Sequence, residues 1–475
     1  MIHPEIKDLN AQSSFSKGGR KIFILVNFFL IIIAYHILRD LKDTLIVTSC
    51  DTGAKIIPFI KIWAMVPLAL LGSYVFQKLY TRFGRDRTFY ILVGSLALFY
   101  LFFAFYLFPN RETLHLNGLA TSLERILPAS FSGWTNMIRY WSFSLFYSLA
   151  EMWSVLVISV LFWSSLNEIT PSGLAKRFFP TCIMIGNFAG IVSGQVSYFI
   201  IHYLCKNKSF DHSVQILILV VTAIAALLMF VHYRIYHNLP QIVTKKEKKL
   251  SFSFKESLQN IWRKPELLCI AALVVGFALT NNLFEVVWKN SIKSVHQAPA
   301  DYNAYINQIT TIIGVVSLIL SFLMRYIFRF FKQSSILLMT PAALLITSSL
   351  FFLFLEAPSF AKFFHMPYAY FVMTFGSLHY ILSLGAKYSL FDSSKEIAFL
   401  AIEPEERIKA KSIIDSVGSR LGKSGSSLLH QFLLILFTGA YIPSIAILSI
   451  SFMTAIFLSA KKLGKISDKK APIAI

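Results

Sequence analysis

Residues 22–47 of this 475-residue chain read IFILVNFFLIIIAYHILRDLKDTLIV. Positions 22–38 form one apolar run that only Asn27 and His36 interrupt. A helix that crosses the hydrocarbon core of a bilayer needs about 17 to 25 mostly apolar residues, so this run predicts a membrane-spanning helix. No small-residue cleavage site follows it, which predicts a retained helix rather than a secretory signal.

Similar apolar runs recur along the whole chain. The composition agrees with a membrane environment, because 56% of the residues are apolar and 15% are charged, whereas soluble domains are about a quarter charged. We therefore predict an all-α integral membrane protein of about twelve transmembrane helices. The candidate spans lie near residues 22–38, 58–80, 88–108, 141–163, 179–204, 213–235, 267–287, 305–328, 336–355, 366–386, 412–437 and 441–460.

The longest basic connector divides these spans into two sets of six. It covers residues 237–266 and contains the run KKEKK at 245–249. Two six-helix bundles are the arrangement of major-facilitator transporters, whose solute lies near the midplane between the bundles. The predicted architecture is therefore an N-terminal bundle (1–236), the connector, and a C-terminal bundle (267–475).

The formal net charge of +21 is concentrated in the loops and tails. Basic residues are more frequent on one side of the predicted spans, and the positive-inside rule then places both termini in the cytoplasm. Nucleic-acid binding needs a solvated basic face with base-reading elements, which this distribution does not offer. The four cysteines form no C-x-x-C pair, so neither a zinc site nor a redox motif is expected, and no cofactor is predicted.

Several charged residues interrupt the apolar runs themselves. A charge at the centre of a membrane helix costs about 2.5–3.5 kcal/mol even on the mildest insertion scale, so such residues usually face a water-filled cavity that serves the solute. Arg39 and Lys42 share one helix face at i, i+3 spacing. The alternative for this pair is a helix end whose side chains snorkel to the interface. Glu151 has apolar neighbours on both sides, and its alternative role is a structural ion pair.

The C-terminal bundle contains a matching set of polar residues. Asn282 and Glu285 share a helix face at i, i+3 spacing. Lys289 follows four residues after Glu285 and could be its partner within the helix, but we expect it to be an anchor at the membrane interface. Aromatic residues near these charges could stack on a base or simply pack, as amphipathic rings do: Trp63, Tyr147, Trp153 and Trp288.

Residues 418–425 read GSRLGKSG and invite comparison with a phosphate-binding loop. Such a loop has four residues between its glycines and follows a strand, whereas here three residues separate Gly418 from Gly422 and amphipathic helix flanks the segment. Small residues in a membrane helix instead allow close helix approach. We therefore predict no enzyme, and a helix that presents Lys423 as a point charge to phosphate.

At these residues the chain resembles the nucleotide transporters (ATP/ADP translocases) of obligate intracellular bacteria and plastids. The matches run in order from residue 39 to about residue 460 and cover most of the chain. They are Arg39-x-x-Lys42-Asp43, Ile57-Pro58-Phe59, Ala150-Glu151-x-Trp153, Leu161-Phe162-Trp163, Ala175-Lys176-Arg177-Phe178, Asn282-Leu283-x-Glu285-x-x-Trp288-Lys289, Lys387-Tyr388-Ser389-Leu390-Phe391-Asp392 and Leu421-Gly422-Lys423-Ser424-Gly425.

The resemblance implies a facilitator-like fold and exchange of ATP for ADP, which are then the transported solutes in a lipid bilayer. It implies that the essential charges are two lysines and two glutamates, one of each in each bundle. Because no plastid targeting segment is present, a bacterial cytoplasmic membrane is expected. The candidate site residues are Lys42, Lys423 and Arg39 for the nucleotide phosphates, Glu151 and Glu285 as binding or coupling carboxylates, and Asn282, Lys387 and Asp392 as secondary candidates.

A second transport mode remains an alternative. Some members of that family exchange ATP for ADP, whereas others import several nucleotides together with protons. This chain departs from the common pattern at Glu168, at Ile292 and at Ser426-Ser427, near the expected cavity. Proton-coupled import, with Glu151 or Glu285 as the proton carrier, is therefore the alternative prediction, and co-transport of phosphate is left open.

Overall fold

The computed structural model describes residues 19–163, 165–166, 170, 172–236, 254–400 and 402–470. Within these ranges the chain is helical and contains no β-strand, which confirms the predicted all-α class. The run at 245–249 and Glu168 lie outside the described residues. The α-helices of nine or more residues are numbered α1 (Arg20–Ser49), α2 (Val66–Phe102), α3 (Asn117–Ile126), α4 (Trp141–Met152), α5 (Ser172–Phe199), α6 (Phe210–Tyr236), α7 (Phe254–Arg263), α8 (Pro265–Val295), α9 (Pro299–Phe330), α10 (Gln333–Glu356), α11 (Tyr368–Ala386), α12 (Asp392–Leu400), α13 (Pro404–Ile413), α14 (Ser419–Leu436) and α15 (Tyr441–Lys470).

Wide-turn π-helical segments extend or join several of these helices. Such segments are rare and are frequent at functional sites, and here Lys387 opens one of them while Glu151 precedes another by two residues. The π segments are Ile60–Met65, Phe103–Leu107, Trp153–Phe162, Ile200–Leu204, Lys387–Phe391 and Ile414–Gly418, and the shorter α and 3₁₀ turns are Gly53–Ile56, Ile57–Phe59, Arg111–Leu114, Ala129–Phe131, Ser132–Arg139, Ser359–Phe363 and Thr438–Ala440.

Ten helical stretches among the described residues are long and apolar enough to cross a bilayer. The longest runs over 55 residues from Gly53 to Leu107. Gly84 breaks it with a φ of 75° and a ψ of −178°, a backbone conformation that glycine adopts readily because it has no Cβ. The polar helix α14 is not among the ten. The membrane character is confirmed, and the count of twelve spans stays a prediction.

The helical bundle has two sides, at opposite ends of its helices, and two halves along the chain. Lys55, just after α1, lies against the ring of Tyr441 at the start of α15, so α1 ends on the side where α15 begins. We call this the far side, and the opposite side, where α1 begins and α15 ends, the terminal side. Residues 19–236 are called the N-half and residues 254–470 the C-half.

Apolar packing joins the two halves on the far side. One large cluster contains N-half residues together with the far part of α8, from Leu279 to Ile292. The terminal part of α8, from Leu267 to Phe277, belongs to a different cluster, and all of its described members are C-half residues. The halves therefore share a core towards the far side, and the C-half has a core of its own towards the terminal side.

Two glycines allow α5 and α9 to cross closely between the halves. A Cβ on Gly194 would lie 2.5 Å from the carbonyl oxygen of Asn307, and a Cβ on Gly314 would lie 2.9 Å from the carbonyl oxygen of Asn187. Both distances are shorter than real Cβ contacts, and the opposing atoms belong to the backbone. The crossing therefore depends on the absence of side chains at these two positions.

We expect Gly314→Ala to force the halves apart on the far side, because the added methyl group overlaps the backbone of α5. Overpacking of this kind costs about 1–3 kcal/mol, which shifts an equilibrium between two states by roughly 5- to 150-fold. The measurement is the alkylation rate of Cys50, which is 1% exposed just beyond the far end of α1. Separation of the halves should accelerate that reaction.

The matched control is Gly118→Ala, since a Cβ on Gly118 has no atom within 4 Å. Cys50→Ser identifies the signal, because the other three cysteines are also buried. An unchanged alkylation rate in correctly folded Gly314→Ala protein would show that this crossing does not hold the far side closed.

Candidate functional site

Lys42 lies inside the membrane helix α1. The helix continues without interruption to Ser49, so Lys42 is inside the span as predicted, and the alternative of a helix end with snorkelling side chains does not apply. The Lys42 ammonium donates to Asp43 Oδ1 at 2.9 Å and lies 2.9 Å from Glu151 Oε1 of α4. It also sits 3.7 Å from the centre of the Tyr147 ring. Lys42 is 2% exposed, and its charge is therefore balanced entirely by neighbours in the protein.

Lys289 is buried and joins the two halves. Its ammonium donates to Asp43 Oδ2 of α1 at 2.7 Å and to Glu285 Oε1 of its own helix α8 at 2.7 Å. With 2% of its surface exposed, Lys289 is not the interface anchor that we expected from the sequence. The prediction was wrong because the far part of α8 packs against α1, which places a second carboxylate beside Lys289.

Lys61 completes the group, and the sequence analysis missed it. Its ammonium donates to Asn282 Oδ1 at 2.5 Å and lies 3.6 Å from Glu285 Oε2, so it links the N-half to α8. The π segment Ile60–Met65 carries it. A lysine only three residues into the predicted span 58–80 was a signal, but it is equally typical of a helix end near the interface.

These contacts form one continuous charge network across the halves. A charge buried without a partner is costly. Removing one member of a buried ion pair therefore destabilises the protein strongly, because the other member is left without compensation. The three ammonium groups balance the three carboxylates, so the network is formally neutral. Its members, in order of contact, are Glu151, Lys42, Asp43, Lys289, Glu285 and Lys61.

Lys423 is placed differently from the other lysines, because its side chain is exposed. Among the described residues no carboxylate lies within 4 Å of its ammonium group. On α14 it shares a face with Ser427 and Gln431 at i, i+4 and i+8 spacing. Gln431 Nε2 donates to the carbonyl oxygen of Pro58 at 2.9 Å, so this face is turned towards the N-half. Lys423 is therefore an unpaired cation on the C-half wall of the space between the halves.

Glycine positions α14 for this role. The neighbouring face of the helix packs on α8, where a Cβ on Gly422 would lie 2.5 Å from the carbonyl oxygen of Val275. The glycine-rich segment is thus a close helix–helix contact inside an α-helix, as predicted, rather than a loop.

The remaining candidates have partners of their own. Arg39 donates to Asp40 Oδ1 at 2.8 Å and to Thr310 Oγ1 of α9 at 2.6 Å, so it is held in a polar contact between the halves. Lys387 and Asp392 pair with each other at 3.2 Å. Neither of these groups contacts the charge network by an ion pair among the described residues.

The aromatic candidates separate by burial. Trp153 and Trp288 are 0% and 1% exposed and Tyr147 is 1% exposed, so all three pack in the core. Trp63 is 56% exposed, and its Nε1 donates to Gln431 Oε1 at 3.2 Å. Of the four, Trp63 alone presents a ring surface beside the face of α14 that carries Lys423.

Further polar bonds join the halves near the network and on its far side. Lys293 donates to the carbonyl oxygen of Cys50 at 2.5 Å, and the backbone N–H of Ala54 donates to Asn290 Oδ1 at 2.8 Å. On the terminal side of the network, the Lys423 side chain is exposed and contributes no such bond among the described residues. The other side-chain bonds between the halves include Thr310 with Asp40, Asn303 with Thr44, and Gln195 with Thr311.

Two helical halves that pack together on one side, with balanced charges at their junction, form a membrane fold like that of major-facilitator proteins. Solved transporters share this fold. A bacterial homologue of the iron transporter ferroportin, in an inward-facing state, matches with a TM-score of 0.63 and 12% identity over 94% of this chain and 98% of that one. The nucleoside transporter NupG matches with a TM-score of 0.54 and 14% identity over 94% and 99% of the two chains.

This chain belongs to the TLC ATP/ADP transporter family, whose profile matches residues 17–467. The ADP,ATP carrier protein 2 of Chlamydia pneumoniae is 32% identical over 98% of this chain and 91% of its own length. The chloroplastic ADP,ATP carrier protein 2 of Arabidopsis thaliana is 33% identical over 92% of this chain and 72% of its own length. The family predicted from the motifs is confirmed.

We expect Lys289→Gln to destabilise the protein, because the change leaves Asp43 without its partner across the halves. Removing one member of a buried ion pair costs about 3–5 kcal/mol. The measurement is the midpoint of thermal unfolding in detergent, followed by tryptophan fluorescence. The double variant Asp43→Asn/Lys289→Gln restores neutrality and should recover part of the loss.

Lys423→Gln is the matched control, since it removes the same charge from an exposed, unpaired position. Its midpoint should stay at the wild-type value. Equal midpoints for Lys289→Gln and the wild type would mean that the network does not stabilise the fold.

Proposed function

We propose that this protein exchanges ATP for ADP across a bacterial cytoplasmic membrane by alternating access. The observation that carries the proposal is the neutral network of three lysines and three carboxylates beside Lys423, which forms no ion pair with any described residue and lies on the wall of the same space. A polyphosphate can balance the charge of Lys423 and compete with the carboxylates for the ammonium groups of the network. The relatives described above are ADP,ATP carrier proteins, which favours these two nucleotides.

Binding of phosphate to the lysines would loosen the contact between the halves. Phosphate oxygens compete with carboxylates for the same ammonium groups. Lys289 holds Asp43 across the halves with one N–H and Glu285 within its own half with another. A phosphate chain that draws Lys289 away from Asp43 therefore weakens the link that keeps the far side closed.

Competition of phosphate with the carboxylates for the lysines favours exchange over one-way transport. Without a nucleotide, the lysines return to the carboxylates and the far side stays sealed. The site then becomes accessible from the other side readily only when a nucleotide occupies it, which is the defining property of an antiporter. A ligand shifts such an equilibrium only through its different affinity for the two states, and the shared lysines provide that difference.

Within the site we assign the phosphate chain to Lys42 and Lys423, with Glu151 as the carboxylate that it displaces from Lys42 and Glu285 as a coupling carboxylate beside Lys289 and Lys61. Trp63 supports binding of the base, because an exposed indole ring can stack on a purine. Arg39, Asn282, Lys387 and Asp392 keep secondary roles in this proposal, since each of them has a partner in the protein.

The orientation follows from charge. The basic loops and both tails lie on the terminal side of the predicted topology, so the positive-inside rule places that side in the cytoplasm. In this proposal the structure represents a conformation that is closed towards the outside, and ATP enters from the far side.

Counterflow in proteoliposomes tests the proposal. We expect uptake of labelled ATP to require ADP or ATP inside the vesicles and to be unchanged by a pH gradient. If uptake needs no internal nucleotide and follows the pH gradient, the activity is proton-coupled import instead. The side chains of Glu151 and Glu285, 20% and 17% exposed, would then be the candidate proton carriers.

Lys423→Gln should reduce ATP transport more than ADP transport, because ATP has one more phosphate to be stabilised away from water. Lys423→Arg should rescue activity only in part, since a planar guanidinium does not reproduce a compact ammonium in a shaped site. The measurement is initial uptake of each labelled nucleotide at matched concentrations.

Lys461→Gln provides the control for this pair, because Lys461 is an exposed lysine near the terminal end of α15. Loss of ATP and ADP transport to the same degree in Lys423→Gln would contradict a role for Lys423 in recognising the longer phosphate chain.

A further inference from the structure

A cavity of about 640 Å³ lies on the far side of the bundle, outside the charge network. Both halves line it. The N-half contributes the end of α1, the turn Gly53–Ile56 and the segment 129–133, and the C-half contributes the far end of α8. Its volume falls within the range of about 300–1,000 Å³ that is typical of small-molecule sites.

The contacts of Asn290 with Ala54 and of Lys293 with Cys50, which we call the seal, lie between this cavity and the charge network. Asn290 lines the cavity and follows Lys289 directly in the chain, and its Oδ1 accepts a hydrogen bond from Ala54 N–H at 2.8 Å. Gly53 has a φ of 57°, and a Cβ there would collide with Asn290 Oδ1. The floor of the cavity is therefore a close contact between the halves.

The lining has a net positive charge. Its charged members are Lys55 from the N-half, Lys293 from the C-half and Asp51 at the rim. Neither lysine has a carboxylate within 4 Å among the described residues. Lys55 lies 5.2 Å from the centre of the Tyr441 ring, and Lys293 donates to the carbonyl oxygen of Cys50. With two lysines that form no ion pair and one aspartate, the lining carries a formal charge of about +1, which is suited to an anion.

Hydroxyl and amide groups supply further hydrogen bonds. Ser130, Asn290 and Gln297 line the same cavity, and side chains of this kind orient a ligand once charge has attracted it. The apolar part of the lining includes Phe59 and Leu434. A ligand with an anionic chain and a flat, less polar body fits this combination.

We propose that this cavity is an outer capture site, which binds the phosphate chain of a nucleoside di- or triphosphate before the seal opens. The proposal rests on the nucleotide exchange proposed above and adds a second site to it. Lys293 has two roles in it. Its ammonium contributes to the seal by donating to the carbonyl oxygen of Cys50. An incoming phosphate competes for that ammonium, so binding in the cavity weakens the seal next to the charge network.

Site-directed variants with opposite charge effects test the capture site. In proteoliposomes of one orientation, Lys55→Gln should raise the KM for ATP supplied on the far side by about three- to fivefold, the range of a partly exposed charge interaction. Asp51→Asn should lower that KM. Neither change should alter the KM for nucleotide supplied on the terminal side, since the cavity lies beyond the seal. Among the described residues the Lys55 side chain forms no hydrogen bond and no ion pair, so its replacement tests binding rather than folding.

The matched control is Lys362→Gln, which removes an exposed lysine of the far-side turn Ser359–Phe363 that does not line the cavity. Its far-side KM should equal that of the wild type. An increase as large as that of Lys55→Gln would mean that general surface charge attracts the nucleotide, and would overturn the capture site. The same holds if Lys55→Gln changes both KM values equally or if Asp51→Asn raises the far-side KM.

Competition distinguishes the ligand. Pyrophosphate on the far side should inhibit ATP uptake by the wild type more strongly than inorganic phosphate, and Lys55→Gln should weaken that inhibition. If inorganic phosphate inhibits as strongly as pyrophosphate, the cavity is a phosphate site and the proposed ligand is wrong. Absence of any nucleotide exchange by the wild type would contradict the proposed function itself, whereas normal exchange with unchanged KM values in the Lys55 and Asp51 variants would remove only the capture site.

Discussion

Burial of six charged groups where α1, α4 and α8 meet is the constraint on which the rest of the site depends. A lysine or carboxylate inside the bilayer is tolerated only with a partner of opposite charge. Asp43 is the central member, because Lys42 and Lys289 contact its two oxygens from different halves. Each half is formally neutral by itself, but two ion pairs of the network, Lys289 with Asp43 and Lys61 with Glu285, cross between the halves and link them.

Sharing of partners gives the network its use in transport. Each lysine has two acceptors or a weak second one, so an anionic ligand can take one contact without stripping the lysine of all its partners. The cost of rearrangement is then lower than the cost of exposing an unpaired charge. A neutral junction also tolerates the absence of solute, which an open ring of lysines would not. Recognition of the solute and closure of the far side thus depend on the same ammonium groups.

Close backbone contacts support the closed side. Gly194 and Gly314 bring α5 and α9 together, and Gly53 brings the turn after α1 against Asn290. Packed interfaces of this kind have discrete arrangements rather than a continuous range. The polar bonds of Asn290 and Lys293 then add direction to the contact. The outer cavity lies beyond these bonds and is lined by the end of α1, the segment 129–133 and the end of α8.

The sequence by itself determined the membrane environment, the helical class and most of the charged positions, because the cost of removing a charge from water can be judged from its neighbours in the chain. Lys42, Glu151 and Glu285 stand out in this way, and the motifs around them identify the family. Only the tertiary structure decided which charges meet. Lys289 and Lys61 have local surroundings that suit an interface anchor equally well, and more than 200 residues separate each of them from its partner in the other half. Periodicity within one helix carries no information on that distance. The contact of Lys289 with Asp43, the bond of Arg39 to Thr310, and the absence of an ion pair between Lys423 and any described residue all arise from how the two halves pack.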